Sequence, residues 1–126
     1  MRIIGTGIDI IEIKRIQKAA ARPKFLDIIF TEDERKYFNS RNNNICHIAG
    51  TFAAKEAVSK ALGTGFKSIG WREIEILRSV LGEPEVHLMG RAKALAQKKG
   101  IEKMHISISH SRDFAVSAAI AEGDLI

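Results

Sequence analysis

The sixteen residues from 50 to 65 (Gly50-Thr-Phe-Ala-Ala-Lys-Glu-Ala-Val-Ser-Lys-Ala-Leu-Gly-Thr-Gly65) organise the rest of the chain. Ala54, Val58, Ala61 and Leu62 recur at the spacing of one buried helix face. The pattern extends back to about Ile45 and on to Leu62, predicting the longest helix in the chain. Gly63-Thr64-Gly65 then suits its end, because glycine enters the left-handed conformation without a Cβ penalty. Away from the apolar face, Glu56 and Lys60 are four residues apart, so their side chains project from neighbouring turns. That pair reads in two ways. It is a solvated i,i+4 ion pair contributing about 0.2–0.5 kcal/mol, or a carboxylate and an ammonium that hold a metal ion beside an anionic phosphate.

Towards the N-terminus, Ile3 to Ile8 mixes β-branched residues with Gly5 and Gly7, as in a short strand closely approached by other backbone. Asp9 is expected to close that strand. Asp9 and Glu12 have capping-box spacing for a helix starting at Ile10, which leaves Asp9 as a cap or a metal ligand, or both. Ile13, Ile16 and Ala20 give this helix an apolar stripe, Arg15, Lys18 and Arg22 an offset basic one, and Pro23 ends it. The basic stripe suits a solvated face or an acidic partner. Phe25 to Phe30 is an apolar run, Thr31-Glu-Asp-Glu34 is a second capping box, and Asn39 to Asn44 is a polar loop.

Beyond Gly65 the period falls to two. Glu73 to Ile76 and Glu85 to Leu88 flank a Leu81-Gly-Glu-Pro84 turn and read as a hairpin. Ala92, Leu95 and Ala96 line a helix that Gly100 terminates. In a following strand, His105 to Ser111, residues His105, Ser107, Ser109 and Ser111 share one face and Ile106, Ile108 and His110 the other. Phe114 to Ala121 pairs back onto it as an apolar strand suited to core or to an interface. The order of elements predicts an α+β fold, one domain of residues 1–126, with a largely antiparallel sheet packed against a long central helix.

Hydrophobic residues at 45% and charged residues at 28% exclude a disordered or fibrous chain. The net charge of +5 calls for an acidic partner. One cysteine, Cys46, excludes an intrachain disulfide and fits a reducing cytoplasm. The sequence lacks a secretory h-region and a membrane-length apolar run, so a soluble cytoplasmic protein is expected. Gly5-Thr-Gly7 lacks the third glycine of a dinucleotide fingerprint, no P-loop pattern occurs, and the histidines lack zinc-site spacing. His105 and His110 each suit a structural or a functional role. Asp9, Glu56 and Lys60 remain as groups suited to a phosphoanhydride and to Mg²⁺, which prefers carboxylate oxygens and completes its shell with water and phosphate.

Ile4-Gly-Thr-Gly-Ile-Asp-Ile10, Phe52-Ala-Ala-Lys-Glu-Ala57, Lys60-Ala-Leu-Gly-Thr-Gly65, Ile74-Glu-Ile76, Gly82-Glu-Pro84 and His105-Ile-Ser-Ile-Ser-His110 occur in order along nearly the whole chain. Together they resemble the bacterial holo-acyl-carrier-protein synthases, the small class of 4′-phosphopantetheinyl transferases. The resemblance implies Mg²⁺-dependent transfer of the phosphopantetheine arm of coenzyme A to a serine of apo-acyl-carrier protein, releasing adenosine 3′,5′-bisphosphate. It makes Asp9 and Glu56 metal ligands and Lys60 the neutraliser of phosphate charge, with the choice of proton-accepting carboxylate open. It adds Lys55 as a phosphate contact or a structural ion pair, and Gly63, Gly82, Pro84 and His105 as further coenzyme A positions, the last three near the adenosine 3′-phosphate and adenine. Lys14, Arg15, Lys18 and Arg22 would dock the acidic carrier protein. A homotrimer with coenzyme A between subunits is implied, with no nucleic-acid or membrane partner. Thr51 departs from the family pattern, which has an arginine before Phe-Ala-Ala-Lys-Glu, so a phosphate contact is either missing or supplied elsewhere. The competing readings are a basic nucleic-acid-binding module, which the 6% aromatic content and lack of stacking motifs oppose, and an inactive relative that only binds carrier protein.

Overall fold

The computed structural model describes residues 1–124. Strand β1 (Arg2–Glu12) leads into helices α1 (Ile13–Ala20), α2 (Phe25–Ile29), α3 (Glu32–Ser40) and α4 (Ile45–Ala61). The hairpin β2 (Ile74–Arg78) and β3 (Pro84–Leu88), helix α5 (Gly90–Lys98) and the pair β4 (Ile101–His110) and β5 (Phe114–Gly123) follow. Two antiparallel sheets result, one in the order β1-β5-β4 and one formed by β2-β3. The α+β reading therefore holds, with every strand pairing antiparallel.

Helix α4 is more deeply enclosed than a one-faced helix. Asn44 caps its N-terminus by accepting from the Cys46 amide at 2.8 Å. Its buried residues run almost all the way round, from Ile48 through Ala53, Ala54, Ala57 and Val58 to Ala61. The three-stranded sheet, α1 and β2 all pack against it. Small residues make that possible. On β1, Gly5 and Gly7 lie against α4 so closely that a Cβ on Gly7 would overlap the Ala57 carbonyl oxygen, and one on Gly5 that of Ala61. Strand and helix therefore meet backbone to backbone.

Strand β1 is longer than the sequence suggests. Its pairing with β5 runs on through Asp9↔Ser117 to Glu12↔Phe114, so Asp9 lies inside the ladder and helix α1 starts at Ile13. The N-cap of α1 is Glu12, which makes no side-chain capping bond, so the Asp9 capping box does not form. Continuous ladder hydrogen bonds outweigh a single cap of about 0.5–2 kcal/mol. Arg22 falls past the end of α1, in the turn before Pro23. The Thr31 capping box does form, and the apolar run after Phe25 becomes the short helix α2.

A buried ion pair joins these layers. Lys55 and Glu34 are both fully enclosed, with Nζ 2.7 Å from Oε1. The Lys55 ammonium also donates to the carbonyls of Trp71 at 3.0 Å and Ile74 at 2.5 Å. Glu34 in turn accepts from the amides of Thr31 and Ile76, both within 2.8 Å. Burial raises the Glu34 carboxyl and lowers the Lys55 ammonium from their ordinary values, each partly restored by the other's charge. α3, α4 and β2 are thus pinned together by one saturated polar knot.

Two outcomes follow for stability, both readable from urea unfolding. Lys55→Met, which strands the Glu34 carboxylate, is expected to cost about 3–5 kcal/mol, and adding Glu34→Gln to return a good part of it. Gly7→Ala is expected to cost about 1–3 kcal/mol, because β1 must lift off α4 to admit a methyl group.

Candidate active site

The inner face of β1 reads Gly5, Gly7, Asp9 and Ile11, alternating with outward Thr6, Ile8 and Ile10. The glycines press that face onto α4 and carry Asp9 to its last turns. There Lys60 Nζ donates to the Ile8 carbonyl at 2.9 Å and lies 3.2 Å from Asp9 Oδ1. The Asp9 side chain is 17% exposed and that of Lys60 49%, so the pair stands at the edge of solvent. Lys60 therefore bonds across to the strand. Among the described residues it makes no ion pair with Glu56 along the helix, as its i,i+4 spacing had suggested.

Glu56 completes the group from the preceding turn of α4. Burial, and after it the negative charge of Asp9, raises its carboxyl above the ordinary value, while Lys60 offsets part of the rise. Two carboxylates are thus close enough for their charges to oppose one another, with one ammonium offsetting part of that repulsion. Such a donor set fits a hard divalent cation, since Mg²⁺ is usually held by one or two carboxylates together with substrate phosphate. A cation there would relieve the repulsion that raises Glu56. Among the described residues no group of three or more His, Cys, Asp or Glu could hold a metal without such help.

The remaining sequence-predicted residues divide. Gly63 turns the chain at the end of α4 with φ of 90°, and Lys99 Nζ beside it donates to the Leu62 carbonyl at 2.5 Å. Lys55 has all three ammonium protons taken up by Glu34, Trp71 and Ile74, which is the structural ion pair of its two readings. Gly82 lies on the β2–β3 turn and Pro84 opens β3, and His105 stands on the outer face of β4, 3.1 Å from Glu122 Oε1. Asp9 is on the inner face of the same sheet, so one chain does not bring His105 to the Asp9–Glu56–Lys60 cluster. Lys14, Arg15, Lys18 and Arg22 are all exposed, with Ile13 and Ile16 of α1 buried beneath them.

Two features escaped the sequence reading. Thr51 is fully buried, donates to the His47 carbonyl at 2.8 Å and accepts from Arg78 Nη1 at 3.0 Å. A guanidinium thus stands at this point of α4, brought by β2; sequence spacing gave no signal of it, because 27 residues separate the partners. Trp71 stacks on Phe52 at 5.0 Å and on Phe66 at 3.7 Å, and Phe52 lies one helical turn before Glu56 on α4.

Residues 5–119 match the family model described as the 4′-phosphopantetheinyl transferase superfamily. The holo-[acyl-carrier-protein] synthase of Caldanaerobacter subterraneus is 50% identical over 121 residues, 95% of each chain. Plasmodium yoelii acyl carrier protein synthase, solved with ADP bound, superposes with a TM-score of 0.88 at 32% identity, covering 98% of this chain and 97% of that one. The Bacillus anthracis holo-(acyl-carrier-protein) synthase, in complex with CoA (3′,5′-ADP), superposes with a TM-score of 0.80 at 38% identity, covering 97% and 98%. Sequence and backbone agree over nearly the full length of both partners, and the chain belongs to the holo-acyl-carrier-protein synthases of the 4′-phosphopantetheinyl transferase superfamily.

Proposed function

We propose that this protein transfers the 4′-phosphopantetheine arm of coenzyme A to a serine of apo-acyl-carrier protein and releases adenosine 3′,5′-bisphosphate. The observation that carries the reading is the meeting of Asp9, Glu56 and Lys60 at the β1–α4 contact in a chain half identical to a holo-[acyl-carrier-protein] synthase. The serine oxygen bonds to the phosphorus on the pantetheine side of the pyrophosphate. The bond from that phosphorus to the bridging oxygen breaks, and its electron pair leaves with the bisphosphate. Positioning and charge stabilisation do most of the work in such a transfer.

Asp9 and Glu56 would hold Mg²⁺, which supplies neutralising charge to the pyrophosphate. Lys60 has two of its three protons engaged by Ile8 and Asp9, leaving the third for a phosphate oxygen of the leaving group. Either carboxylate, directly or through a bound water, would accept the serine proton. Lys55 serves the reaction from inside the core, by fixing α4 against β2. Lys14, Arg15, Lys18 and Arg22 receive the acidic carrier protein.

The enzyme works as a homotrimer, with coenzyme A between neighbours. Ile8 and Ile10 on the outer face of β1 are 65% and 63% exposed, and Ile120 on β5 is 40% exposed, an apolar sheet face suited to a second copy. His105, Gly82 and Pro84 then reach the adenosine end of a coenzyme A whose pyrophosphate lies at the Asp9 of the adjacent subunit.

Incubation with apo-acyl-carrier protein, coenzyme A and Mg²⁺ is expected to add one phosphopantetheine to the intact carrier mass, and chelator to prevent it; an unchanged mass with several carriers would overturn the reading. Glu56→Gln abolishes the mass gain yet, in metal-free buffer, raises the melting temperature at neutral pH. A carboxyl whose folded pKa is raised loses stability as pH climbs through that value, so the gain disappears below the ordinary 4.5, where Glu56 is protonated folded and unfolded alike. Replacing both Arg15 and Lys18 with Glu is expected to raise KM for the carrier about tenfold or more, while KM for coenzyme A stays unchanged.

A further inference from the structure

The Lys60 ammonium holds two bonds of different kinds. β1 is an edge strand of its sheet, and edge strands leave a row of backbone groups open; Lys60 takes one of them, the Ile8 carbonyl, at 2.9 Å. That oxygen belongs to the frame, fixed by the ladder to β5 and by the backbone contact of Gly7 with α4. The second bond runs to Asp9 Oδ1 at 3.2 Å, on a side chain that rotates. Lys60 can therefore give up Asp9 without losing its place on β1.

The charges around the ammonium do not balance. Glu56 is near enough that Asp9 and Lys60 both act on it, in opposite senses. Two carboxylates and one ammonium leave the cluster with one net negative charge. A divalent cation arriving alone turns that charge positive and meets an ammonium at the carboxylate it needs. A pyrophosphate arriving alone is repelled by two carboxylates. Arriving together, the two leave the net charge where it began. Without Lys60, the carboxylates would neutralise a dication unaided. Like charges sharing one carboxylate at such short range repel strongly enough to govern which ligands enter.

We propose that Lys60, beyond neutralising phosphate charge, couples the two ligands: its hold on Asp9 weakens binding of the divalent cation until coenzyme A engages the ammonium. With a phosphate oxygen on its third proton, Lys60 pivots on the Ile8 carbonyl and yields Asp9. The coupling is reciprocal, because the factor that coenzyme A adds to cation affinity is the factor that the cation adds to coenzyme A affinity. The site then takes cation and coenzyme A as a pair. This rests on the transferase reading above, which puts the pyrophosphate at the Asp9–Glu56–Lys60 cluster.

Mn²⁺, which suits carboxylate oxygens as Mg²⁺ does, gives a readout that needs no turnover. Free Mn²⁺ is followed by electron paramagnetic resonance as the ion is titrated into the full chain, without and with coenzyme A, coenzyme A alone serving as the baseline. The unaltered protein is expected to bind Mn²⁺ about tenfold more tightly or better when coenzyme A is present, and calorimetry to return the same factor for coenzyme A when Mn²⁺ is present. Lys60→Met is expected to bind Mn²⁺ alone about tenfold more tightly than the unaltered protein and to lose most of the coupling. Lys60→Arg, which keeps the charge, is expected to resemble the unaltered protein. If Lys60→Met binds Mn²⁺ alone no more tightly than the unaltered protein, or keeps the coupling, the proposal is overturned. Failure of phosphopantetheine transfer in the mass assay, with the coupling intact, would strike the transferase reading instead.

Discussion

The contact between Gly5 and Gly7 of β1 and the backbone of α4 at Ala57 and Ala61 governs the placement of everything chemical in this protein. No side chain fits between strand and helix there, so their separation is fixed by backbone atoms and does not relax with rotamers. Asp9, two residues past Gly7 on the same face, is delivered to Lys60 and Glu56 as a consequence. The pleat alternates residues strictly, so a slip of one residue in β1 would send Asp9 to the outer face and Ile8 or Ile10 into the helix. Ten paired positions along β5 hold that register.

Helix α4 is held from its other sides by the Lys55–Glu34 pair, which serves placement more than net stability. Burying two charges is costly, and an apolar pair of equal volume often does as well. The pair instead supplies direction. Lys55 reaches the carbonyls of Trp71 and Ile74, and Glu34 caps α3 while accepting from Ile76, so the hairpin and α3 are tied to one rotational setting of α4. Lys55 and Glu56 are adjacent, so the setting that buries the ammonium also presents the carboxylate to Asp9. Structural and chemical residues share one helix turn because the helix is enclosed on nearly every side.

Strand β5 serves two surfaces in the same alternating way. Ala115, Ser117, Ala119 and Ala121 are buried towards α4, whereas Phe114, Val116, Ala118 and Ile120 face outward beside Ile8 and Ile10. The two uses suggested by its apolar sequence, core and interface, are therefore divided between odd and even residues. The outward apolar face is the surface that the proposed association of copies would cover.

Local patterns were legible in the sequence wherever one interaction within a few residues decides the structure: the Thr31 capping box, the long helix from Ile45, the β2–β3 hairpin and the alternation of β4. The family motifs pointed to the two carboxylates and Lys60 on the same local footing. Asp9 shows where that footing ends. Its spacing to Glu12 is a correct capping signal, but pairing with β5, more than a hundred residues away in sequence, carries the strand past it. The same reason put the partner of Lys60, the burial of Lys55 and the approach of Arg78 to Thr51 beyond the reach of spacing. Each depends on groups brought together through different elements, and only the packing of those elements around α4 decides which charges meet, which are desolvated and which are left without a partner.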